Sequence, residues 1–265
     1  MDKTFLIDSH CHLQDERYGD LDGVIDRAQN VGVKKFLCNG TDTNDWDKLY
    51  RLSQKYEEII PAYGAHPWYI DNLSEDWEGK LVEYLDKSFS TVGEIGLDRT
   101  VDGNIKKQID VFERQLQIAR DKKRAVSIHC RKSWDILTPI LKRYKTAEFN
   151  ILIHSFSGSP EVINQLNDIG VYYSFSGSIT NLNNLRALEA VKYAPLDRIL
   201  IETDSPDIPP TINGIYDKNL LNEPSNLQII LNRVAEIRNL EIPEIKKQIQ
   251  ANFMNFINKS VKILR

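Results

Sequence analysis

The sequence has no long apolar run. None of its apolar stretches approaches the about 20 residues that a helix needs to cross a bilayer. The first residues also lack the basic segment and apolar core of a secretory signal. These absences predict an intracellular protein with no membrane partner. We expect a cytoplasmic location, with the nucleus as the alternative.

The sequence has few cysteines, and its basic residues are fewer than its acidic ones. Cys11, Cys38 and Cys130 are odd in number and lack the paired spacings of zinc or redox sites, which favours a reducing compartment. The 34 Lys and Arg residues are outnumbered by 38 Asp and Glu residues, which gives a formal charge of −4. A broad nucleic-acid-binding surface is therefore not expected. An anionic substrate would have to be held locally, by metal ions and a few Arg or Lys side chains.

Composition shifts that would mark a linker are also absent, so we predict one domain over residues 1–265. Eight apolar segments are each followed by a segment with helical spacing, which is typical of a single-domain α/β protein of the (β/α)8 or TIM-barrel type. The predicted strands lie at 5–7, 34–40, 59–67, 91–98, 125–129, 150–154, 171–175 and 198–204. The predicted helices lie at 20–30, 45–56, 76–88, 105–122, 134–144, 160–170 and 182–193, with extra C-terminal helices at 227–238 and 243–264.

All five histidines fall at the predicted carboxyl ends of strands. His10 and His12 end the first strand, and because side chains alternate along a strand they point the same way, with Cys11 opposite. Two imidazoles on one face can bind a divalent metal; the alternative is a pair of hydrogen-bonded histidines. The others end the third, fifth and sixth strands: His66, His129 and His154. Since the carboxyl ends of barrel strands form one rim, where active sites are built, we expect the five to converge.

Two carboxylates share that rim. Glu94 lies in the apolar fourth strand, where an acidic residue is costly unless it is paired or bound to metal. Asp204 ends the apolar eighth strand, where a helix cap or a loop hydrogen bond is the usual alternative. Four histidines and two carboxylates exceed the needs of one tetrahedral ion but suit two ions that share a bridging Glu. Some two-metal barrels have a modified lysine on strand four. This strand has no lysine, so Glu94 is the expected bridge.

Seven short motifs follow one another along the chain between residues 5 and 224. They are DSHCHL (8–13), GAHP (64–67), GEIGLD (93–98), IHCR (128–131), HSFSG (154–158), ETDSP (202–206) and NEP (222–224). In this combination and order they resemble the TatD family of metal-dependent deoxyribonucleases. The HxH motif alone would be a weak signal, but the joint match is specific.

The resemblance implies a barrel of the metal-dependent hydrolase superfamily that uses two divalent ions, Mg²⁺ before Mn²⁺ or Zn²⁺. The implied substrate is DNA, as single strands or 3′ ends, degraded by a 3′→5′ exonuclease activity. We expect the enzyme to be a monomer. The implied metal ligands are His10, His12, Glu94, His129, His154 and Asp204.

The resemblance also implies a role for each residue. Glu94 would bridge the two ions, and Asp204 would orient or deprotonate the attacking water, so both are predicted catalytic residues. His66 and Arg131 would contact the substrate phosphate, for which the bidentate fork of Arg131 is suited. A structural hydrogen bond is the alternative for His66.

Two residues depart from the family pattern at the mouth of the predicted site. Leu221 stands where the family commonly has an arginine before NEP, and Arg99 stands where it often has an aromatic residue after GLD. These departures concern substrate preference and leave the metal ligands intact. Aromatic residues near the rim could stack a nucleobase or pack in the core: Trp68, Phe156, Phe175 and Tyr216. Lys132 and Arg99 could contact phosphate or remain solvated, and Cys11 and Cys130 are expected to pack behind the ligands.

Two other functions compete with the nuclease. The first is a two-metal amide, ester or lactone hydrolase, because one fold and one metal pair serve many chemistries. Arg131 favours phosphate over an acyl group. The second is a non-enzymatic scaffold, which the six ligand-type residues disfavour because a scaffold has no use for buried uncompensated polar groups.

Overall fold

A parallel β-barrel forms from the apolar segments that the sequence marks as strands. In this computed structural model, which describes residues 4–101, 104–144 and 149–261, eight parallel strands pair in their order along the chain. The predicted α/β barrel is therefore confirmed. The strands are β1 (Leu6–Cys11), β2 (Val33–Asn39), β3 (Ile59–Tyr63), β4 (Thr91–Asp98), β5 (Val126–Arg131), β6 (Ile151–Ile153), β7 (Tyr172–Phe175) and β8 (Ile199–Ile201).

Backbone hydrogen bonds bring the first and last strands together. The N–H of Asp204 donates to the carbonyl of His10 at 3.0 Å, and the N–H of His12 donates to the carbonyl of Ser205 at 2.8 Å. Both bonds lie just at the carboxyl ends of β1 and β8. The two ends of the sheet thus meet beside the predicted site.

Helices alternate with the strands and cover the barrel. Each turns an apolar face inward; the helix at Ile105–Asp121 buries Phe112, Leu116 and Ala119, as its spacing predicts. The helices are α1 (Leu21–Asn30), α2 (Trp46–Lys55), α3 (Trp77–Lys87), α4 (Ile105–Asp121), α5 (Trp134–Lys142), α6 (Pro160–Asn167), α7 (Leu185–Tyr193), α8 (Leu227–Arg238) and α9 (Ile242–Val261). The last two confirm the extra C-terminal helices. Among the residues described, no helix has the length and apolarity that a membrane span requires.

Some helix boundaries differ from the sequence-based prediction. α6 begins at its proline as predicted, but it ends at Asn167, ahead of Gly170. α7 begins at Leu185 rather than near residue 182, because Asn184 accepts a backbone N–H of the first turn and so caps the helix there. Residues 262–264 of the last predicted helix lie outside the described residues.

β1 extends beyond the apolar segment that predicted it. Its polar residues Asp8, Ser9 and His10 are as buried as the apolar start of the strand. The Asp8 carboxylate accepts hydrogen bonds from the N–H and hydroxyl of Thr203, at 3.0 and 2.5 Å. These bonds compensate the burial of polar groups inside the barrel. An apolar criterion therefore ends this strand too early.

α9 fills the amino-terminal end of the barrel. Its side chains Phe253, Phe256 and Ile257 are buried against residues that lie in the strands or directly before one of them. Those residues are Ile7, Leu37, Ala62, Ala125, Leu152, Tyr172 and Leu200. Because this end of the barrel interior is apolar and filled, the polar residues gather at the carboxyl end of the strands.

Candidate metal centre

Glu94 lies at the centre of the histidine cluster. It belongs to β4, in which every residue is buried, and only 3% of its own surface is exposed. Its Oε2 lies 3.2 Å from Nε2 of His10 and 3.5 Å from Nε2 of His12. Its Oε1 lies 2.8 Å from Nε2 of His154 and 3.0 Å from Nδ1 of His129. The two oxygens of one carboxylate thus face two separate pairs of imidazoles.

Asp204 joins the pair that faces Oε2 of Glu94. Its Oδ1 lies 3.4 Å from Nε2 of His12 and 3.7 Å from Nε2 of His10. The residue follows β8 with a φ of 54°, a left-handed conformation that Asp adopts more readily than most residues. The structure therefore brings together all six predicted metal ligands, although they are spread over nearly 200 positions of sequence.

In three of the four predicted histidine ligands, the second ring nitrogen has a hydrogen-bond partner. His12 Nδ1 donates to the carbonyl of Asn39 at 2.8 Å, and His10 Nδ1 lies 3.0 Å from the hydroxyl of Ser127. A histidine that donates one ring N–H in this way leaves a lone pair on its other nitrogen. Here that nitrogen faces the carboxylates, and its lone pair is available to a metal ion when no proton occupies it.

Two buried carboxylates lie on the far side of the other pair. His129 Nε2 lies 3.2 Å from Oδ2 of Asp98, within hydrogen-bond distance. His154 Nδ1 lies 3.5 Å from Oε1 of Glu202 and makes no hydrogen bond with it. Glu202 is held by the N–H of Ser155 at 2.6 Å. These partners orient the imidazoles and make them better donors to a metal.

His66 directs an N–H, not a lone pair, toward Glu94. Its Nδ1 accepts the backbone N–H of Trp68 at 3.2 Å, so in the neutral ring the proton is on Nε2. That Nε2 lies 3.3 Å from Oε1 of Glu94. Burial lowers the pKa of His66 to about 4, so the ring is neutral at physiological pH. His66 is therefore a hydrogen-bond donor within the cluster, in contrast to the four histidines whose lone pairs face it.

The carboxylates attract positive charge strongly. Burial alone would lower the pKa of His12, but its contacts with Asp204 and Glu94 raise it to about 10. Burial would likewise raise the pKa of Asp204, but His12 and the neighbouring imidazoles hold it down at about 2. Protons and metal ions compete for such a site.

The donor set fits divalent ions. The donor atoms within each of three groups lie within 4.8 Å of one another. The first and second groups share His10, and the second and third share Glu94. Imidazole nitrogens and carboxylate oxygens are common ligands of catalytic metals, and burial keeps them from bulk water. The groups are His10–His12–Asp204, His10–Glu94–His154 and His66–Glu94–His129. The tautomer of His66 separates it from the other donors of the third group.

Sequence reasoning assigned no role to two residues that hold the ligands in place. Asp98 and Glu202 are fully buried carboxylates, yet they were noted only as members of the GEIGLD and ETDSP motifs. The available signal was an acidic residue at the end of an apolar strand, the same signal that selected Asp204. Asp98 and Glu202 differ from Glu94 and Asp204 in lying next to the imidazole nitrogens that point away from the cluster. This arrangement depends on the fold.

The rim carries one arginine that is available for a ligand. Arg131 ends β5 and is exposed, and its guanidinium has no hydrogen bond or ion pair within the described part of the chain. Arg99 is different, because it makes two 2.8 Å bonds to the Asp135 carboxylate. Arg131 is therefore accessible to a ligand, whereas Arg99 is held at the surface by its ion pair with Asp135.

Other candidates are placed in the core. Phe156 and Phe175 are buried, at 2% and 1% exposure, and cannot reach a ligand at the rim. Cys11 and Cys130 are buried among the apolar residues between barrel and helices. Trp68 and Tyr216 are half-exposed.

A TIM barrel with buried histidines and carboxylates at the carboxyl ends of its strands is the architecture of a metal-dependent hydrolase. A family model described as TatD related DNase matches residues 7–258, and the chain belongs to this TatD family of metal-dependent hydrolases. It is 33% identical to the uncharacterized metal-dependent hydrolase YabD of Bacillus subtilis, over 91% of this chain and 94% of that protein. The crystal structure of YJJV, a TatD homolog from Escherichia coli, superposes with a TM-score of 0.89 at 27% identity, over 96% of this chain and 98% of that one.

Proposed function

We propose that this protein is a divalent-metal-dependent deoxyribonuclease that hydrolyses DNA phosphodiester bonds at a two-metal site, as a 3′→5′ exonuclease. The observation that carries the proposal is the orientation of Glu94. Its two oxygens face two separate imidazole pairs, as those of a carboxylate that bridges two ions would. The description of the matching family, TatD related DNase, supports DNA as the substrate.

Each oxygen of Glu94 would belong to one metal site. Oε2 would complete a site with His10, His12 and Asp204, and Oε1 would complete a site with His129 and His154. Mg²⁺ is the proposed ion, with Mn²⁺ and Zn²⁺ as alternatives that imidazole-rich donor sets also accept. When bound, such ions lower the pKa of water and offset negative charge on phosphate oxygens.

Asp204 would orient or deprotonate the attacking water. Because its pKa is about 2, the side chain is an ionised hydrogen-bond acceptor at neutral pH. Its neighbours His10 and His12 fix the position of the carboxylate oxygen at the site. Because this acceptor is already in position next to the reacting atoms, no free energy is needed to arrange it during the reaction.

Arg131 and His66 would bind the substrate phosphate. Arg131 and His129 are two positions apart on β5, so their side chains lie on the same face of the strand, with Arg131 nearer the solvent. The neutral His66 ring offers an N–H from within the cluster. A cation and a neutral donor suit a phosphodiester better than an uncharged amide or ester. This favours the nuclease over an acyl hydrolase.

We also propose that the protein acts as a monomer in the cytoplasm. All the proposed ligands come from one chain, so the site needs no residue of a second copy. The three cysteines are free and buried, which suits a reducing compartment.

The test is degradation of single-stranded DNA labelled at either end, with Mg²⁺, Mn²⁺ or EDTA. The expected result is metal-dependent shortening from the 3′ end by the wild type, lost in Asp204→Ala. Asp207→Ala is the matched control, since Asp207 lies in the same loop but pairs at the surface with Arg17. It should keep wild-type activity.

Three outcomes would count against the proposal. Cleavage that persists in EDTA or in Asp204→Ala would show that the nuclease activity lies elsewhere. Internal cuts without end preference would replace the exonuclease with an endonuclease. A folded, metal-loaded wild type that cleaves no DNA but hydrolyses ester or lactone substrates would establish the acyl hydrolase instead.

A further inference from the structure

Trp68 is an exposed aromatic side chain that is fixed in place beside the candidate metal centre. Half of its surface, 50%, is exposed, although a large apolar ring is usually buried. Its ring centroid lies 5.0 Å from that of His66, with the two planes 87° apart. The indole thus borders the cluster around Glu94 and also faces solvent.

A buried carboxylate holds the indole at one edge. Trp68 Nε1 donates to Oδ2 of Asp98 at 2.8 Å. The same oxygen lies 3.2 Å from Nε2 of His129, while the N–H of Thr100 donates to the other oxygen of Asp98 at 2.7 Å. Because Asp98 is completely buried and fully bonded, it cannot shift to follow a moving ring. The ring is therefore prearranged before any ligand binds.

The other aromatic candidates at the rim lack this combination. Phe156 and Phe175 are buried, so their faces are covered. Tyr216 is 55% exposed, but no hydrogen bond of its hydroxyl occurs among the residues described. Trp68 alone of the four is both exposed and anchored next to the cluster.

From this geometry we infer that Trp68 is the platform on which a nucleobase next to the scissile phosphate stacks. The inference rests on the proposed nuclease function and names the part of the substrate that the site recognises besides phosphate. Any base has a π-face, so an aromatic platform binds a DNA strand without selecting a sequence. A rigid ring also loses little conformational freedom when the base arrives.

The test compares a normal single strand with strands that carry an abasic residue at the last or the next-to-last position. Wild type should cleave the normal strand with a kcat/KM about tenfold higher than at least one abasic strand, the size expected for one stacking contact. Trp68→Leu should abolish this preference by losing activity only on the normal strand. Trp68→Tyr keeps a ring and should keep most of the preference.

The comparison separates stacking from a positioning role through Asp98. If Trp68 only held Asp98 and His129, Trp68→Leu and Trp68→Tyr would lower activity on normal and abasic strands by the same factor. That result, or a wild type that cleaves both kinds of strand equally, would overturn the inference. Thermal unfolding of each variant checks that the fold is retained.

Fluorescence gives a readout that does not depend on cleavage. A phosphorothioate-linked strand, which resists hydrolysis, should quench the wild-type protein and quench Trp68→Phe much less, because Trp46 and Trp77 are buried and Trp134 is partly buried against the core. An abasic strand should quench neither. If the wild type cleaves no DNA, the proposed nuclease fails, and quenching still decides whether Trp68 stacks on bases. Equal quenching by normal and abasic strands would overturn the inference.

Discussion

The tautomer of each histidine at the site sets what that residue can do. Four rings face the carboxylates with the nitrogen through which they would bind a metal, and in three of them the other nitrogen has a hydrogen-bond partner, which is Ser127, Asn39 or Asp98. His66 directs an N–H there, because the backbone of Trp68 occupies its lone pair. An imidazole can bind a metal only through a lone pair, so His66 should not be a ligand.

This difference predicts separate effects for two substitutions. His154→Ala should reduce the amount of metal bound per protein, because a ligand is lost. His66→Ala should keep the metal content and lower kcat by about 10²-fold or more, the usual cost of losing one donor to the reacting group. Metal analysis after dialysis, together with kinetics, measures both. Metal loss in His66→Ala equal to that in His154→Ala would show that His66 is a ligand.

The sequence predicted a set of ligands that the fold brings together, but not the residues that hold them. His10 and His129 stand out as polar residues at the ends of apolar strands, and Glu94 as an acidic residue inside one. Asp98 carries the same signal, yet its role depends on a 3.2 Å contact with the far side of the His129 ring. Contacts between strands that are distant in sequence cannot be read from either strand alone.

β4 and β5 approach each other closely at Gly96. This glycine has a φ of 150°, and a Cβ atom there would lie 2.0 Å from the carbonyl oxygen of His129. A side chain would force apart the two strands that carry Glu94 and His129. Only glycine fits both the backbone angle and the space.

Gly96→Ala should therefore destabilise the barrel by more than about 4 kcal/mol, the range of exceptional point mutations. Gly79→Ala is the matched control, because Gly79 lies exposed in α3 with nothing within 4 Å of its added Cβ. That change should stabilise the protein by about 0.5–1 kcal/mol through helix propensity. Urea unfolding of the two variants measures both. A Gly96→Ala protein as stable as wild type would show that the strands can separate at low cost.

α9 contributes to stability through the apolar end of the barrel. Phe256 is fully buried among the inward-facing residues there, so Phe256→Ala should lower the free energy of unfolding by about 3–5 kcal/mol. Met254 lies on the same helix but is 41% exposed, so Met254→Ala should change the free energy of unfolding by about 0.5 kcal/mol at most. Chemical denaturation of the two variants measures these changes. Equal effects would mean that α9 does not pack into the barrel.

The elements could be predicted where burial follows a simple period. α4 shows one apolar face, and the eight strands are apolar enough to be located. β1 was predicted too short because its buried second half is polar. Thr203, at the other end of the sheet, donates a hydrogen bond that compensates the burial of Asp8 there. α7 began later than predicted because a single side chain, Asn184, fixed its first turn. Such local hydrogen bonds compete with periodicity and are not visible in it.

At the scale of the whole molecule, metal binding should stabilise the fold, because the ligands converge only in the folded chain. An ion at about 100 times its dissociation constant would add about 2.7 kcal/mol, or about 5–10 °C in Tm for a protein of this size. Glu94→Gln removes the negative charge between the two imidazole pairs, so the metal-induced rise in Tm should be much smaller in this variant. Thermal melts with Mg²⁺ or Mn²⁺ and with EDTA measure it. A wild-type Tm that is the same under all three conditions would mean that no ion binds the folded state preferentially.

The meeting of His10 and Asp204 has a consequence for the order of events during synthesis. The N–H of Asp204 bonds to the carbonyl of His10, and the side chains of the same two residues face each other at the site. A nascent chain on the ribosome therefore cannot complete the site until the segment that follows β8 has emerged and joined β1. A truncated product that ends before that segment would carry most of the ligands and yet lack the site, so premature termination would not release an active fragment.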